Sequence, residues 1–275
     1  MSKLVILKSR SHAHLNPLHS GFAHGFGIFE TIRLTGGRLE FWTAHYERFL
    51  HSAKTFNLHF DEVETAVLAA IRELVESEKV RDGIIKLSLL SEGKDTCCYV
   101  YVRSIEQTDE KITLHLDTQS SLNENSVLAG HKTHNYMESM YLKQFAQKNG
   151  FFDAVRLNTT GLLAETTLAN LFFVKEDRLY TPALSTGILP GVIRAEVLDA
   201  ARTHSIPVEE GNYSVECLKS AETAFLTNSS VGIMPVSSFF ADDSTVTYTL
   251  SSHVVDTLRA DLDDKRKRKS TQFDQ

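Results

Sequence analysis

The sequence predicts an α+β protein with two domains: a small α/β sandwich of mostly antiparallel strands and a larger, barrel-like β domain with surrounding helices. Short apolar, strand-like runs recur along the chain and outnumber the helical patterns. A polar stretch at 118–130 has no apolar stripe and separates two groups of elements. We therefore expect a small domain at 1–117, a linker at 118–130, a large domain at 131–262 and a charged tail at 263–275.

Alternating and helical apolar patterns define the elements of the small domain. The predicted strands lie at 4–7, 27–41 (two strands around a Gly-Gly turn), 84–90, 97–103 and 111–116. A helix is predicted over 44–56, where apolar residues recur at helical spacing. A second helix is expected to begin at Asp61, because Glu64 follows three residues later in a capping-box arrangement.

The large domain is predicted to begin with a helix over 131–150 that ends at Gly150. Further helices are expected at 191–204 and at 251–262. The remaining elements are short strands, and they are predicted at 153–157, 168–174, 178–181, 206–210 and within 221–239.

Composition excludes several classes of protein. The net charge of −6 argues against a general polyanion binder, so we expect no nucleic-acid partner. The apolar runs are too short to cross a bilayer, so we expect no membrane partner. Three cysteines without regular spacing favour reduced thiols and a cytoplasmic location. The basic run within 263–275 is expected to be a solvated tail rather than a binding segment.

Two charged residues stand out by their surroundings. Glu165 lies in GLLAETTLANLFFV (161–174), where an ionised carboxylate needs a partner if it is buried. The ordinary alternatives are a salt bridge or the wet face of an edge strand. Lys132 follows the polar stretch, and its ordinary interpretation is a solvated lysine at a helix start. His131 and His134 flank it, but their spacing is weak evidence for a metal site.

Two loops have features of anion-binding sites. The segment 181–197 ends in Pro-Gly and opens a helix, whose first backbone N–H groups can hold an anion. Arg194 is the only local cation there, and a plain structural turn is the alternative. Ser229 and Ser230 are either ordinary loop hydroxyls or donors to a phosphate.

Taken together, these and other segments resemble the class IV pyridoxal-phosphate enzymes. That family holds the branched-chain and D-amino-acid aminotransferases and 4-amino-4-deoxychorismate lyase. The matching blocks keep the family's order and cover nearly the whole chain. They are GFGIFETIR (25–33), HYERFLHSA (45–53), ETTLANLFF (165–173), LYT (179–181), ILPGVIR (188–194) and TNSSVGIMPV (227–236).

The resemblance implies a two-domain enzyme that binds pyridoxal 5′-phosphate and forms a homodimer. Lys132 matches the lysine that forms a Schiff base with the cofactor and then moves a proton at the substrate α-carbon. Glu165 matches the glutamate that keeps the pyridine nitrogen protonated, so the cofactor itself would be its positive partner. Arg48 matches the arginine that clamps the phosphate, although helical spacing alone would place it on the surface.

The resemblance also implies further cofactor-binding residues. The backbone groups of Val192 and Ile193, at a helix start, would take phosphate oxygens. Ser229 matches another phosphate-binding position, and Tyr136 and Asn170 would line the cofactor.

Three features resemble the lyase among the family's members. They are the spacing KTHN (132–135), Thr31 at the position of the lyase's catalytic helper, and the segment TNSSVGIMPV (227–236). The resemblance therefore implies a lyase that releases pyruvate and 4-aminobenzoate for folate synthesis. The rivals are an aminotransferase of D-amino, branched-chain or other small amino acids, and a non-catalytic relative that binds a partner. Glu92 stands where an arginine for substrate carboxylates is expected, which leaves the substrate open.

Overall fold

The computed structural model describes residues 2–8, 16–105 and 111–272. The chain divides into two compact units that interleave in sequence. Unit 1 holds Met1–Gln107, His131–Asn135 and Lys265–Gln275, and unit 2 holds Thr108–Gly130 and Tyr136–Asp264.

Unit 1 is a six-stranded sheet with helices packed on it. Its first elements are β1 (Ser2–Leu7), α1 (Ser20–Ala23), β2 (Gly27–Thr35), β3 (Arg38–Glu40), α2 (Trp42–Thr55), α3 (Glu64–Glu78), β4 (Gly83–Glu92) and β5 (Asp95–Arg103). The strand order is β1-β5-β4-β2-β3, followed by a short C-terminal strand. β1 runs parallel to β5, and the other pairs are antiparallel.

Side-chain alternation along β2 separates two faces of this sheet. Ile28, Ile32 and Leu34 belong to a core cluster with apolar residues of α2 and α3. Because successive strand side chains point to opposite faces, Glu30 shares their face and Thr31 points to the other. Glu30 is only 1% exposed, so the sheet carries a carboxylate inside its apolar face.

Unit 2 is built on a nine-stranded sheet. Its elements are β6 (Ile112–Leu116), α4 (Met137–Lys148), β7 (Asp153–Leu157), β8 (Leu163–Thr166), β9 (Asn170–Lys175), β10 (Arg178–Pro182), α5 (Val192–Thr203), β11 (Val208–Gly211), α6 (Val215–Lys219), β12 (Thr223–Asn228), β13 (Gly232–Ala241), β14 (Ser244–Thr247) and α7 (His253–Arg268). The order is β11-β10-β9-β12-β13-β6-β7-β8, with β14 paired to β13. Its core cluster includes Leu163, Leu171, Leu226 and Phe239.

The unit boundaries differ from the predicted domains because sheet pairing is non-local. β6 was expected in the small domain, but it pairs with β7 and β13 and so belongs to unit 2. The predicted linker at 118–130 also packs on unit 2. There the Leu122 amide donates to the Leu157 carbonyl, and the Thr159 hydroxyl donates to Glu124 over 2.7 Å.

The start of the predicted helix 131–150 is extended instead and joins unit 1. Thr133 bridges Ile28, the Phe29 amide donates to the Lys132 carbonyl over 2.8 Å, and the His134 amide donates to the Gly27 carbonyl. These hydrogen bonds satisfy backbone N–H and C=O groups along the part of β2 that does not pair with β3. Helix α4 therefore begins only at Met137.

Two further predictions fail at helix ends. α3 begins at Glu64 rather than Asp61, because the Glu64 carboxylate accepts from Trp42 Nε1 over 2.6 Å instead of completing a capping box. α7 continues past the expected end at 262, and a final strand, β15 (Ser270–Thr271), pairs with β3. The described part of the tail 263–275 is therefore structured; residues 273–275 lie outside the described residues.

One buried and two half-buried histidines of unit 1 predict that the stability of the protein depends on pH. Burial lowers the pKa of His45, His131 and His134, in the last case to about 4. Below the ordinary histidine pKa of about 6.5, the unfolded chain binds protons that the folded unit does not take up. The free energy of unfolding is therefore expected to fall by roughly 1–3 kcal/mol between pH 7.5 and pH 5. Urea unfolding followed by the fluorescence of Trp42, the single tryptophan, reports on this unit.

A matched pair of variants checks the cause of this pH dependence. His134→Asn is expected to flatten it, whereas the same change at the exposed His253 is expected to leave it as in the wild type. Equal stability at both pH values, or an unchanged slope in His134→Asn, would contradict the assignment.

Candidate functional site

Lys132 lies beside β2 in unit 1, in the extended segment described above. Its side-chain nitrogen stands 4.4 Å from the centroid of the Phe29 ring. His134 also contacts that ring, with the ring centroids 5.2 Å apart. Asn135 fixes the segment's end, since its side-chain amide donates to the Gly25 carbonyl over 3.2 Å. The β-pairing therefore fixes the position of Lys132 at the sheet, in contrast to a solvated helix start.

Thr31 lies on the same face of β2 as Phe29, because the two residues are two positions apart along the strand. Its hydroxyl accepts a 2.8 Å hydrogen bond from Lys86 Nζ on β4. Lys86 Nζ also stands 3.8 Å from the centroid of the Phe29 ring. Burial first, and then the charges of Lys132 and Arg103, lower the pKa of Lys86 to about 7, although Glu30 opposes this.

Arg48 is held on the other face of the same sheet. Its Nε and Nη2 donate to the two carboxylate oxygens of Glu30 over 2.7 and 2.8 Å, a bidentate pair. His45 Nδ1 lies 2.8 Å from the same carboxylate. Burial alone would raise the pKa of Glu30, but Arg48 and His45 outweigh it and hold that pKa below its usual range. Helical spacing placed Arg48 on the surface; the structure buries most of it because Glu30 supplies a partner.

Glu165 and Asn170 lie close together in unit 2, at the turn between β8 and β9. The Asn170 side-chain amide donates to the Glu165 carboxylate over 2.9 Å and also to the Leu189 carbonyl over 2.9 Å. The Leu189 amide donates to the same carboxylate over 3.2 Å. β8 is the last strand of its sheet, as the edge-strand alternative expected. The carboxylate of Glu165 is nevertheless oriented by two donors and half-buried.

The N-terminus of α5 lies directly against Asn170. Helix α5 begins at Val192 after Gly191, and no side chain caps it. The first backbone N–H groups, including those of Val192 and Ile193, lack acceptors inside the helix. Arg194 is turned away, because its Nη2 donates to the Pro182 carbonyl and to Glu210. Of the two features in this segment, the helix start and not Arg194 therefore remains a candidate for binding an anion.

The end of β12 lies beside Asn170. Thr227 pairs with Asn170 across the sheet. Its hydroxyl oxygen is buried without a hydrogen-bond partner among the described residues. Ser229 follows two residues later in a turn where the Asn228 side chain accepts from the Ser230 and Val231 amides. Tyr136 is half-buried and precedes α4.

The predicted residues thus fall into two groups. Unit 1 brings Lys132 and Thr31 to one face of its sheet and holds Arg48 on the other. Unit 2 gathers Glu165 and Asn170 with the start of α5 and the end of β12. The prediction from sequence missed Lys86 and Glu30. Their only local signal was a charged residue within a strand-like run.

A metal site at His131 and His134 gains no support from the structure. His131 Nδ1 lies 2.9 Å from the Ser52 hydroxyl, and its ring stacks on His51. Across residues 2–8, 16–105 and 111–272, no group of three potential metal ligands occurs. Within the same residues, no helix is both long enough and apolar enough to span a membrane.

Close packing of Gly191 on Asn170 gives a testable constraint. A Cβ atom at position 191 would lie 2.1 Å from Asn170 Oδ1. Gly191→Ala is therefore expected to displace the Asn170 side chain and to destabilise the protein by about 1–3 kcal/mol, measured by thermal unfolding. In an Asn170→Ser background that oxygen is gone, so the same change is expected to cost much less. Additive effects of the two changes would contradict this packing.

Comparisons with known proteins identify relatives of the chain. The Amino-transferase class IV family model matches residues 27–239. The aminodeoxychorismate lyase of Bacillus subtilis is 29% identical over 241 residues, covering 81% of this chain and 80% of that protein. The D-alanine aminotransferase of Bacillus licheniformis is 26% identical over 243 residues, covering 84% of this chain and 85% of that protein.

Solved structures share the architecture. A Legionella pneumophila protein, provisionally assigned as a 4-amino-4-deoxychorismate lyase, matches with a TM-score of 0.88 and 25% identity over 95% of this chain and 99% of its own. The branched-chain amino acid aminotransferase of Escherichia coli matches with a TM-score of 0.86 and 20% identity, over 96% of this chain and 95% of its own. The predicted fold class is therefore confirmed.

Proposed function

The chain belongs to the class IV aminotransferase family, and from this premise we propose that it is a pyridoxal-phosphate-dependent 4-amino-4-deoxychorismate lyase. The observation that carries the proposal is the placement of Thr31 on the sheet face where Lys132 contacts Phe29. A hydroxyl there is suited to the departing part of a substrate whose α-carbon Lys132 deprotonates. The aminodeoxychorismate lyases of Bacillus subtilis and Vibrio harveyi, at 29% and 27% identity, add support.

Unit 1 would contribute the covalent attachment and one phosphate contact. Lys132 would hold pyridoxal phosphate through its side-chain nitrogen, as the matching lysine does in the family. Arg48 would contact the phosphate, and the bidentate pair with Glu30 would fix the orientation of its guanidinium. Glu30 is a positioning residue in this proposal.

Unit 2 would contribute the partner of the cofactor's ring nitrogen. The Glu165 carboxylate would keep that nitrogen protonated, and the donors from Asn170 and Leu189 keep the carboxylate oriented. Asn170 would also line the cofactor. When bound, pyridoxal phosphate supplies an electron sink for the electron pair left at the substrate carbon, and a protonated ring nitrogen strengthens it.

Phosphate binding in unit 2 fits the residues present. The uncapped start of α5 offers the N–H groups of Val192 and Ile193, which favour an anion. Ser229 would add a hydroxyl donor. The buried hydroxyl of Thr227, which has no partner among the described residues, is consistent with a polar ligand at this end of β12. Tyr136 would contact the cofactor beside α4.

Proton transfer would depend on residues of unit 1. The amine of Lys132 would remove the proton from the substrate α-carbon. Thr31 would place the enolpyruvyl part of the substrate so that its bond to the ring can break. The products would be pyruvate and 4-aminobenzoate.

The second candidate function is an aminotransferase acting on D-amino, branched-chain or other small amino acids, and the D-alanine aminotransferase relatives favour it. Both functions share deprotonation of the α-carbon, so the test is product analysis. The holoenzyme is incubated with 4-amino-4-deoxychorismate alone, or with D-alanine and 2-oxoglutarate. Pyruvate and 4-aminobenzoate formed without an added keto acid support the lyase. Glutamate formed only in the second mixture, with no 4-aminobenzoate in the first, overturns it.

The resemblance to the family also supports proposals about the oligomeric state of the protein and its location in the cell. We propose a homodimer located in the cytoplasm. The three cysteines form no disulfide, which is consistent with a reducing compartment. Sedimentation analysis of the holoenzyme tests the dimer; a monomer would contradict it.

A further inference from the structure

Asp153, at the start of β7, is a buried carboxylate that has no part in the proposed function so far. Its residue is 2% exposed. Its Oδ1 accepts from the Thr167 hydroxyl over 2.6 Å and from the Ala154 amide over 2.8 Å. Its Oδ2 lies 3.7 Å from Lys143 Nζ on α4. Burying a carboxylate is costly unless it is paired and hydrogen-bonded, and these three groups meet that requirement.

Lys143 is itself held against β7 by groups other than this carboxylate. Its Nζ donates to the Phe152 carbonyl and stands 3.7 Å from the centroid of the Phe152 ring. The lysine side chain is only 11% exposed, so the cation is largely withdrawn from water. One oxygen of Asp153 therefore faces a fixed cation, while the other faces Thr167.

Thr167 lies in the tight turn that joins Glu165 to Asn170. β8 ends at Thr166 and β9 begins at Asn170. Within the turn, the Ala169 carbonyl accepts from the Thr166 amide over 2.9 Å and from the Thr166 hydroxyl over 3.1 Å. Thr167 is 4% exposed, so the bond from its hydroxyl to the buried carboxylate is shielded from water. The turn is thus closed on itself and tied to β7.

The conformation of this turn fixes how Glu165 and Asn170 meet. Glu165 lies two residues before Thr167, and Asn170 lies three residues after it. The Asn170 side-chain amide donates to the Glu165 carboxylate over 2.9 Å. Because both partners are attached to the same short turn, a change in its backbone would alter this bond. Functional side chains keep their geometry only when a supporting layer of contacts holds them.

We propose that Asp153, acting through Thr167, positions the Glu165 carboxylate against the ring nitrogen of the cofactor. The inference rests on the proposed function, because the role of Glu165 belongs to it. Asp153 and Thr167 are positioning residues in this proposal and do not touch the cofactor. The buried charge serves the geometry of the turn, since a buried ion pair adds little net stability.

The test is a double-mutant cycle between Thr167→Val, which removes only the hydroxyl, and Glu165→Gln. With Glu165 present, Thr167→Val is expected to lower kcat about 5- to 10-fold. In the Glu165→Gln background the same change is expected to cost less than about twofold, because the positioned charge is already gone. Thr167→Ser keeps the hydroxyl and is expected to recover most of the loss.

Two further readouts separate positioning from a general loss of structure. In the holoenzyme, Thr167→Val is expected to shift the absorbance maximum of the bound cofactor in the direction in which Glu165→Gln shifts it. Asp153→Asn leaves a weaker, uncharged acceptor for the Thr167 hydroxyl. It is expected to lower kcat about 2- to 5-fold, again only where Glu165 is present, and it keeps the test available if the valine variant does not fold.

Thr96→Val is the matched control, because it removes a buried threonine hydroxyl of β5 that donates to the His59 carbonyl. It is expected to lower the thermal unfolding temperature but to leave kcat and the cofactor absorbance unchanged. Equal losses from Thr167→Val with and without Glu165, or a wild-type kcat in Thr167→Val, would overturn the inference while the proposed function stands. A wild-type protein that binds cofactor but forms no 4-aminobenzoate overturns the lyase and not this inference, since the absorbance still reports on Glu165.

Discussion

Replacing Lys132 by alanine is expected to lower kcat by about 10⁴-fold, because one side chain both holds the cofactor and moves the proton. The substitution removes a side chain that contacts Phe29 but leaves the backbone pairing with β2, which uses main-chain atoms. The fold of unit 1 is therefore expected to survive. Turnover of 4-amino-4-deoxychorismate by the purified, cofactor-loaded variant is the measurement.

Two controls distinguish the loss of the Lys132 amine from general damage to the fold. Lys54→Ala changes an exposed lysine of the same unit and is expected to leave kcat unchanged. Added methylamine is expected to restore part of the activity of Lys132→Ala, since a free amine can replace the missing proton carrier. Activity of Lys132→Ala within tenfold of the wild type would exclude Lys132 from the reaction.

Replacing Glu165 by glutamine is expected to lower kcat about 10- to 100-fold, because the charge that keeps the ring nitrogen protonated is lost. The amide oxygen of glutamine can still accept from Asn170 and from the Leu189 amide, so local structure is expected to persist. Steady-state kinetics of the loaded variant, together with the absorbance of the bound cofactor, measure the effect.

Two further variants test whether the charge of the Glu165 carboxylate causes the loss of activity. Glu165→Asp keeps the carboxylate and is expected to lose less activity than the glutamine variant. Glu76→Gln, at an exposed position of α3, is expected to behave as the wild type. Equal activity of Glu165→Gln and the wild type would show that this carboxylate does not act on the ring nitrogen.

Local patterns were sufficient for most elements of the fold. The apolar stripe of 44–56 predicted α2, and the strand-like runs predicted β4 and β5 to within two residues. These elements follow from the periodicity of burial, which a single sequence displays. The order and boundaries of the units did not follow, since strand pairing joins residues that are far apart in the chain.

The residues of the candidate site show the same contrast between local patterns and partners that are distant in sequence. Lys132 was placed in a helix because its partner strand, β2, lies about a hundred residues earlier in the sequence. Helical spacing alone would place Arg48 on the surface, because its partner Glu30 lies on a different element. Lys86 was missed because a single lysine in IIKLSLL gives no sign of the hydroxyl and ring beside it. Partners across a sheet are invisible to a local pattern.

The lysine that binds the cofactor can be identified chemically. The holoenzyme is reduced with borohydride, digested, and the labelled peptide is mapped by mass spectrometry. We predict a single pyridoxyl label on Lys132. Lys86 is the sharpest competitor, because burial lowers the pKa of its amine to about 7 and this amine lies over the same aromatic ring as Lys132. A label on Lys86 or another lysine, or no label at all, would exclude the proposed bond between Lys132 and the cofactor.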